Sequence, residues 1–369
     1  MSGLNDKYTI SYQINGLTAA VISWITYICD TNFWDMKLYN WEGPVVSVVI
    51  VTYNQEAYIS QAIESALTQK CSFPIEIVIG EDGSTDNTGK ICQDYALRYP
   101  EIIRVTRNET NKGLMNNYFD TMLRARGKYI ADCAGDDYWV DPYKLQRQVD
   151  LLENNPEVVL THTNYKEYHT ADNRIVDDIY GLRHIVKPER SSYKNNVYEL
   201  INQVNAPFVF TGSSCFLTKA FRNAYHLNTS FFRNKEYPCE DYQLVFFLLK
   251  EGDFLYEAEE TTVYRINDRS LSYMTDLRKQ LQFAFSSFKL KTDLLMTDSF
   301  EMKRCASFFE TRLKEIISLC IRLKEPYPST EALQITRDLG YPISLRIQMY
   351  EWVLSSQTLS FFFRKLKGD

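Results

Sequence analysis

Residues 45–53 read VVSVVIVTY, a β-branched run interrupted by a single serine. A strand with one wet face alternates apolar and polar residues, so this run predicts a strand buried on both faces, as in a parallel sheet covered by helices. The flanking chain fits that reading. AYISQAIESALTQK (57–70) carries Ile59, Ile63 and Ala66 at helical spacing, and IEIVIG (75–80) reads as a second strand. TDNTGKICQDYALRY (85–99) follows as a helix opened by Asp86 or Thr85. IIRVT (102–106) is a third strand, NNYFDTMLRA (116–125) a short helix, and KYIADC (128–133) a fourth strand. This alternation predicts an α/β chain with a doubly wound, mostly parallel sheet.

In such sheets ligands gather at the carboxyl ends of the strands, where this sequence concentrates its polar groups. Thr52, Tyr53 and Asn54 follow the first strand, Asp82 to Asp86 the second, and Asp136 and Asp137 the fourth, inside CAGDDYWVDP (133–142). VTYNQEAY offers no glycine-rich turn after the first strand, which argues against a dinucleotide dehydrogenase and a nucleotidylyltransferase, and no P-loop is present. Adjacent carboxylates repel each other and bind phosphate poorly. Asp136 and Asp137 are best explained as hard oxygen ligands for Mg²⁺ or Mn²⁺, which would in turn hold a diphosphate. The plainer alternative is a helix cap, since Asp141–Pro142 predicts a helix start just beyond.

The chain's 369 residues suit one large domain with an additional region, or two domains. With 41 basic and 47 acidic residues the net charge is −6, which excludes the basic footprint of a nucleic-acid binder. The 26 Tyr and 21 Phe suit stacking on sugars or bases. Eight cysteines without a close pair read as reduced thiols in a cytoplasmic protein. LTAAVISWITYIC (17–29) is too short to span a membrane and predicts a buried or interfacial helix. None of the four histidines has ligand spacing.

Taken in order, VSVVIVTYNQEAYISQAIESALTQ, EIVIGEDGSTDNT and GKYIADCAGDDYWVDPYKLQRQVDLLENNPEV resemble the nucleotide-binding half of family-two glycosyltransferases, inverting enzymes with the GT-A fold. The match covers roughly residues 45–165. FTGSSCFLTKAF (210–221), YPCEDYQLVFFLLKEG (237–252) and VYRINDRSLS (263–272) extend it more loosely. The resemblance implies a GT-A domain over 45–274, split at 165 into donor and acceptor halves, with residues 1–44 and a helical 275–369 outside it. It implies that Thr52, Tyr53, Asn54, Glu56, Asp82, Ser84 and Lys112 face a nucleotide sugar, UDP-linked in the favoured case. It further implies that Asp136 holds the divalent cation, that Asp137 supports the loop or the sugar, and that Asp241, beside Glu240, is the general base. Inversion requires a carboxylate opposite the departing diphosphate to take the acceptor's proton. DGSTDNT also reads as a plain turn, and Glu240–Asp241 as a helix cap. Tyr138 and Trp139 are read as a pocket wall stacking on sugar, or as core.

The chain departs from the family pattern twice. Ala134 stands where relatives usually carry an acid, and Asn267 where many place a histidine after Tyr264–Arg265. These departures leave a second class open, a GT-A glycan- or nucleotide-binding protein without turnover. Beyond residue 275, helices are predicted over 276–296, 301–323 and 345–367, the last with Leu345, Met349, Trp352 and Val353 on one side and FFFRKLK at its end. Such a segment suits an anionic membrane surface on the cytoplasmic side, or packing against the catalytic domain or a second copy of the chain. The implied function is transfer of a sugar to a glycan or lipid-linked hydroxyl in assembly of a bacterial capsule, O-antigen or exopolysaccharide.

Overall fold

The computed structural model describes residues 43–203, 207–267 and 275–356, with 358, 359, 361 and 365. The helix expected over 17–29 lies outside them, as does most of FFFRKLK.

The run at 46–52 is strand β1 (Val46–Thr52), buried along its whole length. Helix α1 (Ile59–Leu67), β2 (Ile75–Glu81), α2 (Thr88–Arg98), β3 (Ile103–Arg107), α3 (Leu114–Leu123) and β4 (Tyr129–Asp132) follow in the expected alternation. One start is corrected. The second helix begins at Thr88, not at the Thr85 or Asp86 cap, because Asp86 spends its carboxylate on the Thr88 N–H at 2.9 Å and so turns the chain before the first helical residue. β5 (Tyr138–Trp139), α4 (Lys144–Asn154), β6 (Val158–His169), β7 (Arg174–Val176), α5 (Ile179–Leu182), β8 (Arg190–Ser191), α6 (Tyr193–Asn202), β9 (Cys215–Leu217), α7 (Thr218–Leu227), α8 (Thr229–Phe232), α9 (Asp241–Glu251) and β10 (Asp253–Ile266) complete the sheet domain.

The strand order is β3-β2-β1-β4-β9-β6-β10-β5, with β7 on β6 and β8 on β10. β3, β2, β1 and β4 are parallel. β9 runs antiparallel to both of its neighbours, and β6 and β10 are again parallel to each other. The strand order turns back between β1 and β4, and the crevice beyond the carboxyl ends of these strands is the switch point at which such sheets bind ligands.

Gly80 lets α3 lie against this sheet. A Cβ there would sit 2.0 Å from Thr121 Oγ1 and 2.9 Å from Asn117 Oδ1, and Asn117 Nδ2 donates to the Gly80 carbonyl at 2.8 Å. A strand glycine of this kind marks close approach of another element.

Four further helices, α10 (Leu277–Leu295), α11 (Ala306–Leu323), α12 (Tyr327–Asp338) and α13 (Leu345–Ser355), close the chain. α12 was not foreseen, although Pro326 and Pro328 at its start and Gly340 beyond its end are the usual punctuation. Leu281, Phe288, Phe308, Ile316 and Ile347 from these helices join Phe119, Phe221 and Phe246 of the sheet domain in one hydrophobic core. On α13, Leu345, Met349 and Trp352 face outward, exposed at 77%, 65% and 63%, while Val353 turns to the core. Among the described residues no helix is long and apolar enough to cross a membrane.

Gly80→Ala is expected to cost about 1–3 kcal/mol through overpacking, read by denaturant unfolding. Adding Thr121→Ala should recover part of the loss, since it removes the nearest clashing atom.

Candidate active site

The carboxyl ends of β1, β2 and β4 open into a cavity of about 890 Å³ that runs on to the C-terminal helices. Of the residues singled out from sequence, Thr52, Tyr53, Asp82, Asp136, Asp137, Glu240 and Asp241 line it. Asn54, Glu56, Ser84, Lys112 and Trp139 do not; they brace the loops around it. Asn54 Oδ1 accepts from the Thr85 N–H at 2.8 Å, and Ser84 Oγ from the Asn54 N–H at 3.0 Å. Glu56 takes the backbone and side-chain N–H groups of Asn87, and Lys112 pairs with Asp120 at 3.7 Å. Trp139 is buried in the core, its indole N–H donating to the Gly212 carbonyl at 3.0 Å, so the pocket-wall reading is corrected to the core one.

Asp82 is buried, and both of its oxygens serve the 108–113 loop. Oδ1 accepts from Asn108 Nδ2 at 2.8 Å and the Lys112 N–H at 2.9 Å, Oδ2 from the Gly113 N–H at 3.0 Å. Tyr53 is 43% exposed and offers an aromatic face at the mouth.

The Asp136–Asp137 turn is pressed against β1 at Gly135, where a Cβ would meet Gln55 Oε1 at 2.5 Å and Thr52 Cβ at 2.8 Å. Its positive partner within the chain is Arg265, near the end of β10. The Arg265 backbone N–H donates to Asp137 Oδ1 at 2.8 Å, and its guanidinium reaches the Asp136 carbonyl and Gln61 Oε1. Tyr58 and Tyr138 stack on that guanidinium at 4.4 and 5.2 Å. Even so, burial and the neighbouring Asp136 charge push Asp137 well above the usual carboxylate range. Asp136 is also raised, by burial, and Asn267 Nδ2 lies 3.4 Å from its Oδ2.

Among the described residues no three His, Cys, Asp or Glu side chains form a metal cage. Mg²⁺ and Mn²⁺ need few protein ligands when diphosphate oxygens and water fill the remaining positions. The Asp136 carboxylate, open to the cavity and accepting from the Asn267 amide N–H, is a hard-oxygen donor that fits a cation shared with substrate.

Across the cavity, Asp241 is the first residue of α9, where the helix dipole favours a carboxylate. Burial, then the Asp241 charge, push Glu240 up to about 8. A third acid, Asp132, was not singled out from sequence. It is buried at the end of β4, accepts from the Tyr118 hydroxyl at 2.8 Å, and is pushed up to about 6, chiefly by burial. An aspartate inside the otherwise apolar KYIADC was the available signal.

Residues 47–223 match the family model described as Glycosyl transferase family 2. This segment is a family 2 glycosyltransferase domain. The chain is 36% identical over 141 residues to the putative glycosyltransferase EpsE of Bacillus subtilis, covering 38% of this chain and 47% of that protein. It is 44% identical over 115 residues to an uncharacterized protein of Mycobacterium tuberculosis, covering 31% and 33%. To the chondroitin synthase of Escherichia coli it is 29% identical over 132 residues, covering 36% and 19%. The matched segments span less than half the length of these curated relatives. Among solved structures, the S. aureus TarS fragment 1–349 superposes with a TM-score of 0.58 at 15% identity, covering 86% of this chain and 88% of that one. The fold is of the GT-A type.

Arg265→Met removes the guanidinium from the Asp136 carbonyl and Gln61 while leaving the backbone N–H on Asp137, so it is expected to cost about 1–3 kcal/mol in denaturant unfolding. Arg265→Lys should restore only part, because an ammonium cannot reproduce the fork. Glu240 contributes to the pH dependence, together with the raised Asp132, Asp136 and Asp137. The folded chain holds the Glu240 proton more tightly than the unfolded chain, so that stability is complete below about pH 4.5 and is lost as pH rises through about 8. The melting temperature should therefore fall less steeply across this window in Glu240→Gln than in the unsubstituted chain. Equal slopes would place Glu240 in an ordinary solvated setting.

Proposed function

We propose that the chain transfers a sugar, with inversion, from a nucleoside diphosphate donor to a hydroxyl of a bacterial surface polysaccharide under assembly. The observation that carries this reading is that Asp136 and Asp241 line one cavity together with Thr52 and Tyr53. TarS, which shares the fold, has been solved with UDP-GlcNAc, and this supports a uridine nucleotide as the first donor to test. The names of EpsE as a putative glycosyltransferase and of chondroitin synthase support a polysaccharide acceptor.

In this mechanism Tyr53 packs against the base, and Asp136, steadied by the Asn267 amide N–H, would hold the divalent cation, which when bound would neutralise charge developing on the leaving diphosphate. Arg265 and Asp137 fix the turn that aims Asp136. Asp241 removes the acceptor hydroxyl's proton on the face opposite the departing group. Burial and the Asp241 charge hold the Glu240 proton more tightly than in an ordinary carboxyl, which favours Asp241 for that role. The proposed setting is the cytoplasm, supported by the free state of the seven described cysteines. A peripheral seat on the membrane, through the outward face of α13, belongs to the same reading.

Asp241→Asn keeps the size and capping ability of aspartate but cannot accept the proton. Transfer should fall roughly 10²–10⁴-fold with nucleotide affinity unchanged. Asp136→Ala should abolish the Mn²⁺-dependent part of UDP affinity, measured by calorimetry with and without EDTA. Near-normal turnover in the first variant, or unchanged metal dependence in the second, would reassign those residues. Donor hydrolysis without acceptor separates this enzyme reading from a binding protein of the same fold.

A further inference from the structure

The cavity continues past Asp241. Its far wall comes from α10 and α11, outside the family segment, through Gln280, Phe283, Ser287 and Lys291 on one face of α10 and Arg312 and Glu315 on α11. Two cations thus face the cavity from neighbouring helices. Lys291 is 5% exposed, and its ammonium donates to the Ile201 and Gln203 carbonyls at 3.1 and 2.7 Å and lies 4.4 Å over the Tyr242 ring. None of these partners carries a charge. Burial, and after it the Arg312 charge, hold Lys291 well below the usual lysine range, while the Asp241 carboxylate acts the other way.

Arg312 pairs through Nη1 with Glu315 Oε2 at 2.7 Å. Its Nε is shut off from solvent and has no hydrogen-bond partner among the described residues. A guanidinium carries five donors and does not shed its proton. Arg312 thus keeps donors beyond its one carboxylate, in a part of the cavity whose polar lining includes the Gln203 and Gln280 side-chain amides and the Ser287 hydroxyl. Toward the donor end the wall turns acidic with Asp132, Glu240 and Asp241, and the further cation in the lining, Arg183, is paired with Glu167, so a negative group without a metal ion is best received beside Arg312 and Lys291.

We infer that the arm between α10 and α11 is a subsite for an oxyanion on the acceptor, a carboxylate or a phosphate held by Arg312 and Lys291 while a neighbouring hydroxyl reaches Asp241. The role of the anion as part of an acceptor rests on the glycosyltransferase reading; the anion site itself does not.

The test uses the full chain saturated with UDP and Mn²⁺ and two probe pairs, methyl β-glucuronide against methyl β-glucoside and glycerol phosphate against glycerol. A charge-assisted fork predicts that at least one anionic probe binds about tenfold more tightly than its neutral counterpart. The pair showing the preference identifies carboxylate or phosphate as the chemistry recognised. Arg312→Gln should bring that preference to within about twofold with UDP affinity unchanged, and Arg312→Lys should keep part of it. No preference in the unsubstituted chain, a comparison that needs no variant, overturns the inference, and so does a preference that survives Arg312→Gln. Failure of UDP to bind would instead overturn the donor reading and leave the Arg312-dependent comparison standing by itself.

Discussion

Asp137, buried, and Asp136, half-buried beside the cavity, form an acidic turn that Arg265 braces from the other end of the sheet. Asp137 and Arg265 lie 128 positions apart in sequence, and the hydrogen bond between them joins the β4–β5 turn to β10. The same guanidinium reaches Gln61 on α1. One cation thus ties the donor half of the crevice to the strand that brings Asn267 alongside Asp136. Since burying ionised groups is costly without such a partner, the turn and β10 depend on one another, and the family segment ending at residue 223 depends on an arginine outside it.

Around that clamp, one residue type serves several roles according to its surroundings. Asp82 has both oxygens engaged by backbone and side-chain N–H groups and acts as loop architecture. Asp137 is sealed against β10, Asp136 faces open space, and Asp132 is held by a tyrosine hydroxyl within the core. Glu240 and Asp241 are adjacent, yet burial and mutual repulsion raise Glu240 to about 8, while Asp241 opens a helix. The low dielectric that makes these carboxyls costly to ionise is also what strengthens any charge brought between them.

The parallel half of the sheet was legible because its strands are apolar runs whose periodicity survives any tertiary context, and because polar residues crowd their carboxyl ends. Asp136 and Asp137 were found for that reason, Glu240 and Asp241 through the family resemblance. Residue type alone could not separate groups that face the cavity from groups that brace its loops, so Asn54, Glu56, Ser84 and Lys112 looked like Thr52 and Tyr53. Arg265 stayed hidden because nothing local distinguishes it from any strand arginine; only long-range pairing gives it a partner. Lys291 and Arg312 sit in amphipathic helices, where a cation normally marks the wet face. Here that face is turned into a cavity, and sequence periodicity carries no information about whether solvent or substrate lies beyond it.

Helix α10 presents Phe283 and Ser287 to the cavity and Leu281, Ala284 and Phe288 to the common core. A helix committed on both sides cannot be exchanged as a cassette. Lineages with this architecture would diversify through single substitutions along the cavity-facing stripe rather than by shuffling a terminal module, and a chimaera joined near residue 275 would inherit a mismatched interior before any new preference could be expressed.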